Sequence, residues 1–359
     1  MSQQIVVIRG DGIGAEVVEA GLRILRKASG LYNISLEYRE HYAGGAAIDR
    51  FGTPLPEATV QAAQSSSAVL LGAVGGPQWD QVAPELRAEK AILGLRKALG
   101  LYANLRPVKV TAALAQHSPL KPAYVEGADI AIIRELNGGV YYGERQEADE
   151  QAGINRAFDV EAYSVPEIER IVRIACETAR KRSGKVVSVD KANVLASSRL
   201  WRRVASKIAA EYADIELTHM YVDNCAMQLV LGPKKFDVIV TSNLFGDILS
   251  DEAAVIAGSI GMLPSASLGS GPGLYEPIHG SAPDIAGKGL ANPVGTILST
   301  AMLLRYSLNN AQAADRIEAG VEHVLAEGYR TADLYQPGLT QVSTDEMAKL
   351  IEARMQQGL

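Results

Sequence analysis

The 359 residues, 47% hydrophobic and 21% charged, have the composition of a soluble globular chain with room for two domains or one large one. A formal net charge of −6 without a long basic run argues against nucleic acid as a partner. The two cysteines, Cys176 and Cys225, lack metal-ligand or CxxC spacing and read as small core residues of a reduced compartment. No stretch approaches the roughly 20 apolar residues of a membrane span.

The start, Met1-Ser2-Gln3-Gln4 before a brief apolar run at 5–8, lacks the charged and long apolar regions of a secretory signal, which points to the cytoplasm. That run reads as a strand, 17–25 as a helix, 34–38 and 68–71 as strands, and an amphipathic helix ends near Leu99. Such alternation predicts an α/β protein with a mainly parallel sheet. Between 101 and 163 the rhythm changes. Strand-like runs at 130–133, 141–147 and 157–163 are separated by Asn137-Gly138-Gly139 and a polar loop near 149–155, predicting hairpins on the sheet or an arm on another subunit.

The alternation then returns: a helix at 166–182, a strand at 185–189, a helix at 200–212, and strands at 215–221 and 236–240. Residues 258–273, rich in Gly, Ser and Pro, read as loops with a short strand, and helices at 293–308, 314–327 and 344–355 follow. There is no internal repeat or obvious linker, which favours a two-domain body with a cleft.

Several residues could carry chemistry. If 89–96 is helical, Glu89, Ile92, Leu93 and Arg96 share one face, apolar in its middle and cationic at its end. Arg106 and Arg134 follow, and such planar forks hold carboxylates bidentately while Ile92 and Leu93 suit an alkyl branch. The plain alternative puts Ile92 and Leu93 in the core of an ordinary amphipathic helix. Asp247 and Asp251, at i and i+4, project from one side of a helix after the 236–240 strand, and their repulsion needs compensation. Oxygen-only ligands suit Mg²⁺ or Mn²⁺, with Asp223 as a further donor; the alternative is a solvated pair near a helix N-terminus.

Lys191 falls at the expected carboxyl end of a strand, where open α/β sheets place ligands, and could act as a base or be merely solvated. Tyr141 and Tyr142, after Gly138-Gly139, could donate a proton or be surface strand residues. Gly10-Asp11-Gly12-Ile13-Gly14 has GxGxG spacing, a weak dinucleotide fingerprint, and reads as a tight strand-to-helix turn. The better cofactor candidate runs from Glu276 through His279, Gly280, Ser281, Ala282, Pro283, Asp284 and Ile285 to Asn292. Small residues there allow backbone approach, and an aspartate can accept from ribose hydroxyls; the alternative is a polar loop before a helix.

Together these motifs closely resemble the β-decarboxylating dehydrogenase family over essentially the whole chain. The resemblance implies two α/β domains sharing a large mixed sheet, not a Rossmann fold of the usual dinucleotide-binding type. The cofactor domain would be discontinuous, 1–102 plus 258–359, and 103–257 would form the substrate, metal and dimerisation domain with an inserted β arm. It implies that Arg96, Arg106 and Arg134 bind malate carboxylates, with Glu89, Ile92, Leu93, Val194 and Asp223 also lining the substrate. Tyr141 and Lys191 would be the catalytic pair, and Asp223, Asp247 and Asp251 would surround Mg²⁺ or Mn²⁺. NAD would lie along 280–292 and, at its nicotinamide side, 76–89 from Gly76 onward.

The resemblance further implies a homodimer whose active site borrows Lys191 and Asp223 from the neighbour. The activity implied is NAD-dependent oxidative decarboxylation of a 3-alkylmalate, 3-isopropylmalate above all, in leucine biosynthesis. Malate- and tartrate-specific relatives share most of these residues, and some relatives became non-catalytic regulatory subunits. Relatives that act on isocitrate carry a serine and polar residues where this chain has Glu89, Ile92 and Leu93. Asp284-Ile285 stands where NADP-dependent relatives carry basic or aromatic residues. Asn137 departs from the threonine common in relatives.

Overall fold

A computed structural model of the chain describes residues 2–149 and 151–356. It opens with β1 (Gln3–Gly10), α1 (Gly14–Leu31), β2 (Leu36–His41), α2 (Gly45–Phe51), α3 (Glu57–Ser65), β3 (Ala68–Ala73), α4 (Lys90–Ala98) and β4 (Leu101–Lys109). Two short helices, α5 (Ala112–Ala115) and α6 (Pro122–Val125), precede β5 (Asp129–Glu135), β6 (Arg145–Gln146), β7 (Phe158–Asp159) and α7 (Val165–Arg180). Next come β8 (Lys185–Asp190), α8 (Ala196–Ala209), β9 (Glu216–Tyr221), α9 (Val222–Leu231), β10 (Val238–Thr241) and α10 (Asn243–Ile256). The chain continues with β11 (Pro264–Gly269), β12 (Gly273–Pro277), α11 (Val294–Tyr306), α12 (Ala311–Ala326), β13 (Tyr329–Arg330), β14 (Thr340–Gln341) and α13 (Thr344–Arg354).

These elements fall into two compact units. The first comprises Met1–Leu101, Ala112–Pro119 and Ala257–Leu359, and the second Tyr102–Thr111 and Leu120–Ile256. The expected large mixed sheet has ten strands, five in each unit when β4, all but Leu101 in the second, is counted there. In the first unit the order is β2-β1-β3-β12-β11, parallel except for the antiparallel β11/β12 pair. Ile5, Val6, Val7 and Ile8 of β1 are wholly buried, which explains an apolar run without alternation: a parallel strand covered on both faces. In the second unit the order is β4-β5-β10-β8-β9, antiparallel only at β4/β5. Helix α7 is set by its start, where Ser164 N donates to Glu167 Oε2 at 2.7 Å and Pro166 sits in the first turn.

Several expected elements differ. The run 141–147 is not a strand: residues 139–141 form a tight turn and only Arg145–Gln146 pairs, with Phe158–Asp159. Gly139, at φ 73°, turns the chain there, and a Cβ on Gly138 would lie 2.4 Å from the Tyr163 ring. Of the polar loop near 149–155, Glu150 lies outside the described residues, while Asp149 and Ile154 bridge. Asn104 and Arg106 hide the strand β4 as polar interruptions, yet both side chains are buried, with Arg106 Nε donating to Asn104 Oδ1 at 2.7 Å. Helix α9 was likewise not expected, and the segment 258–273 holds β11 and the start of β12. Both cysteines are buried. Among the described residues no helix is long and apolar enough to cross a membrane.

One buried carboxylate organises each unit. In the first, Asp11 accepts from the backbone N–H groups of Gly45 (2.8 Å), Ala46 (2.7 Å) and Gly75 (2.8 Å), tying the turn after β1 to the start of α2 and to the loop after β3. In the second, Glu135, wholly buried, accepts from the N–H groups of Asn137 (2.9 Å) and Gly138 (2.7 Å) and from Arg170 Nη2 (3.1 Å). Burial, the largest influence, pushes the Glu135 carboxyl above its ordinary value, against the pull of those donors.

Asp11→Ala leaves three amides without their acceptor and should cost about 2–4 kcal/mol, seen as a lower thermal midpoint; an unchanged midpoint would mean water replaces the carboxylate. For Glu135 the folded pKa is the higher one, so its contribution is full below the ordinary value of 4.5 and is lost as pH rises through the folded value. Glu135→Gln should therefore remove part of the fall in thermal midpoint as pH rises from 4.5 to the folded value. Parallel midpoint-against-pH curves for the two proteins would contradict this.

Candidate active site

Strand β5 ends in Arg134-Glu135, and β10 runs parallel beside it with Thr241 opposite Arg134. Helix α10 starts two residues later at Asn243, so its first turns lie over the Arg134 side chain. Arg134, 2% exposed, donates from Nε (3.0 Å) and Nη2 (2.8 Å) to Asn243 Oδ1, and from Nη1 to Asp247 Oδ1. Gly246 makes this approach possible, since a Cβ there would sit 2.6 Å from Arg134 Cγ.

Arg106, from β4, reaches the same helix. Its Nη1 donates to Ser250 Oγ (2.6 Å) and Asp251 Oδ1 (3.2 Å), and its Nη2 lies 3.4 Å from Asp247 Oδ1. Tyr141 completes the cluster, its hydroxyl donating to Asp247 Oδ2 at 2.9 Å. The two aspartates thus share one helix face as expected, and the compensation their repulsion requires comes from two guanidiniums. Burial raises the Tyr141 hydroxyl above its ordinary value, with the negative Asp247 adding to it, so the phenol is held protonated. Burial likewise raises the Asp251 carboxyl, opposed by Arg106.

Lys191 follows β8 and Asp223 opens α9 after the neighbouring β9. Lys191 Nζ donates to Asp223 Oδ1 at 2.6 Å, and this bond holds the Asp223 carboxyl below its ordinary value. The turn carrying Lys191 is fixed by buried Asp190, which accepts from Ala192 N (2.8 Å) and from Arg202 Nε (2.8 Å), and by Ser198 Oγ, which accepts from Lys191 N (3.0 Å). Val194, in the same turn, is exposed. Among the described residues of one chain, no three His, Cys, Asp or Glu side chains gather closely enough for a metal, so Asp223 does not join Asp247 and Asp251 there.

In the first unit Glu89 is exposed and stands just before α4 rather than within it. The helix buries Ala91 and Leu95, leaving Ile92 and Leu93 half-buried, so the core face is not the one that carries them. Arg96 is buried and donates to Glu276 Oε1 at 3.0 Å, a pairing across 180 positions that spacing along the chain does not show. In the late segment His279 and Ser281 are each 8% exposed, and His279 Nε2 has no partner among the described residues. Burial keeps that imidazole neutral by lowering its pKa. Asn292 donates to Asp333 Oδ2 (3.0 Å), Pro283 and Asp284 are exposed, and Ile285 and Ala282 rest on Ile13, Val17 and Ala291. Gly76 precedes a one-turn segment ending at Trp79, and neighbouring Gly75, at φ 105°, lies close to Glu89.

Asn243, Gly246, Ser250 and Asn104 were not foreseen. A signal existed for the first three: Asn243, Asp247 and Asp251 repeat every four residues with Gly246 and Ser250 beside them, one polar stripe of α10.

The isocitrate/isopropylmalate dehydrogenase family matches residues 4–351. A 3-isopropylmalate dehydrogenase of Clostridium acetobutylicum is 56% identical over 98% of this chain and 99% of its own length. Another, of Aquifex aeolicus, is 55% identical over 97% and 96%. The crystal structure of isocitrate dehydrogenase from Methylococcus capsulatus is similar at a TM-score of 0.89 and 35% identity, covering 99% of this chain and 100% of that one. The chain belongs to the isocitrate/isopropylmalate dehydrogenase family.

Proposed function

We propose that the protein oxidises (2R,3S)-3-isopropylmalate with NAD⁺ and decarboxylates it to 2-oxo-4-methylpentanoate, a step of leucine biosynthesis. The observation that carries this reading is the single hydrogen-bonded cluster of Arg106, Arg134, Tyr141, Asp247 and Asp251, in a chain more than half identical to 3-isopropylmalate dehydrogenases.

The donors fit the groups such a reaction needs. Asp247 and Asp251 offer only oxygen, as Mg²⁺ or Mn²⁺ prefers, and Asp223 would complete the set from a second copy of the chain. A divalent ion held there would polarise the C2 hydroxyl and its neighbouring carboxylate. The orphaned Nε2 of buried His279, with open space at Gly280, fits NAD along 280–292, and NAD supplies the hydride acceptor. Asp284 at the exposed edge of that segment would repel the extra phosphate of NADP.

Arg106 and Arg134 are positioned to clamp carboxylate, and Arg96 would serve a second carboxylate. Lys191, once its Nζ has given up a proton and stands as the free amine, would accept the C2 hydroxyl proton, and Tyr141, kept protonated, would deliver a proton to C3 once CO₂ has left the β-keto acid. Ile92 and Leu93, half-buried and apolar, meet the isopropyl branch, with Glu89 and Val194 at its margins. A homodimer is the expected assembly. Met227, Leu231, Ile248 and Val255 on the contacting helices α9 and α10 are each more than half exposed, an apolar face suited to a second copy that would bring Lys191 and Asp223.

The test is NADH formation by the purified protein with 3-isopropylmalate, with Mg²⁺ and with a chelator; no NADH in either arm refutes the reading. Leu93→Ala should then lower kcat/KM for isopropylmalate by about 1–3 kcal/mol while malate, which lacks the branch, changes far less. Equal losses for both substrates would place Leu93 outside the branch pocket and favour a broader alkylmalate enzyme.

A further inference from the structure

Asn243 touches neither carboxylate of the cluster, yet both of its side-chain polar atoms are engaged and it is 1% exposed. Its Oδ1 accepts two N–H groups of Arg134, fixing the plane of the guanidinium. Its Nδ2 donates to the carbonyl oxygens of Leu136 (3.0 Å) and Gly138 (3.2 Å), in the loop that leads to Tyr141. Its backbone N donates to the hydroxyl of Tyr163 (2.9 Å), a ring packed edge-on against Trp201 and closing the other side of Gly138. From this geometry we infer that Asn243 is a positioning residue with two separable duties: its carbonyl holds the carboxylate-binding Arg134, and its amide N–H₂ holds the loop that presents Tyr141.

The inference rests on the function proposed above, in which Arg134 governs substrate binding and Tyr141 a proton transfer. The two duties predict different kinetics for two variants. Asn243→Ala removes both, so KM for isopropylmalate should rise on the order of 10-fold or more and kcat should fall, with KM for NAD unchanged. Asn243→Asp keeps an acceptor for Arg134 at a helix N-terminus, but loses the donors and turns a carboxylate oxygen towards the carbonyls of Leu136 and Gly138, which frees the loop. It should leave KM within about 3-fold of the parent and lower kcat alone. In both variants amide hydrogen exchange should quicken within residues 136–142 and stay unchanged elsewhere.

Should Asn243→Ala fail to fold, the Asp variant carries the test by itself. The assignment is overturned if KM, kcat and exchange stay at parental values. It is equally overturned if the KM values for both substrates rise together while exchange quickens over the whole chain, the mark of general loosening. If the unmodified protein forms no NADH, the functional reading fails, and the exchange measurement alone still judges whether Asn243 holds the loop.

Discussion

A guanidinium stripped of water is the constraint around which the second unit is arranged. Arg134 is 2% exposed, and an ion so placed is tolerable only when its N–H groups find acceptors. Asn243 and Asp247 provide them from the first turns of α10, which forces that helix to begin directly after β10 and requires glycine at 246. Asp247 is thereby fixed in space, and Tyr141 and Arg106 converge on it. The resulting cluster holds two guanidiniums and two carboxylates, so it is balanced within one chain. Under the proposed function, a divalent cation arriving with a dicarboxylate would add equal and opposite charge and leave that balance intact. Either one alone would not, which would give metal and substrate an electrostatic reason to bind together.

Much of this was legible because the relevant patterns are local. The apolar runs of β1, β3, β5 and β8 announce buried strands, and the four-residue spacing of Asp247 and Asp251 announces a shared helix face. What stayed hidden depends on contacts distant in sequence. Asn104 and Arg106 read as polar interruptions, although in β4 each is the other's partner. Arg96 reads as a fork for a ligand's carboxylate, and the carboxylate that meets it in the structure is Glu276 of β12. Tyr141 sits in a run with strand character, but Gly139 and the packing of Tyr163 turn the chain before a ladder can form. Asp223 falls in a helix whose first turn, Val222-Asp223-Asn224, carries little helix propensity and is held by its neighbours instead.

The N-terminal glycine motif shows how a fingerprint can be assembled for a different purpose. Glycine-rich turns before a helix usually leave backbone amides pointing at a phosphate. Here the motif's own groups are engaged inside the unit: Asp11 N donates to the Ala73 carbonyl at 2.7 Å, Gly14 N donates to the Asp11 carbonyl at 2.9 Å, and the Asp11 carboxylate accepts the N–H groups of Gly45, Ala46 and Gly75. Gly12 has a second task. At φ 55° its missing Cβ lets the Ser281 carbonyl approach, a side chain there being 2.0 Å from that oxygen, while Ile13 N donates to the same carbonyl at 2.8 Å. The turn therefore buttresses the segment that contains His279 and Asn292. Its glycines and the late segment form one construction, in which the early motif supplies support and the late one supplies the unpaired Nε2 of His279.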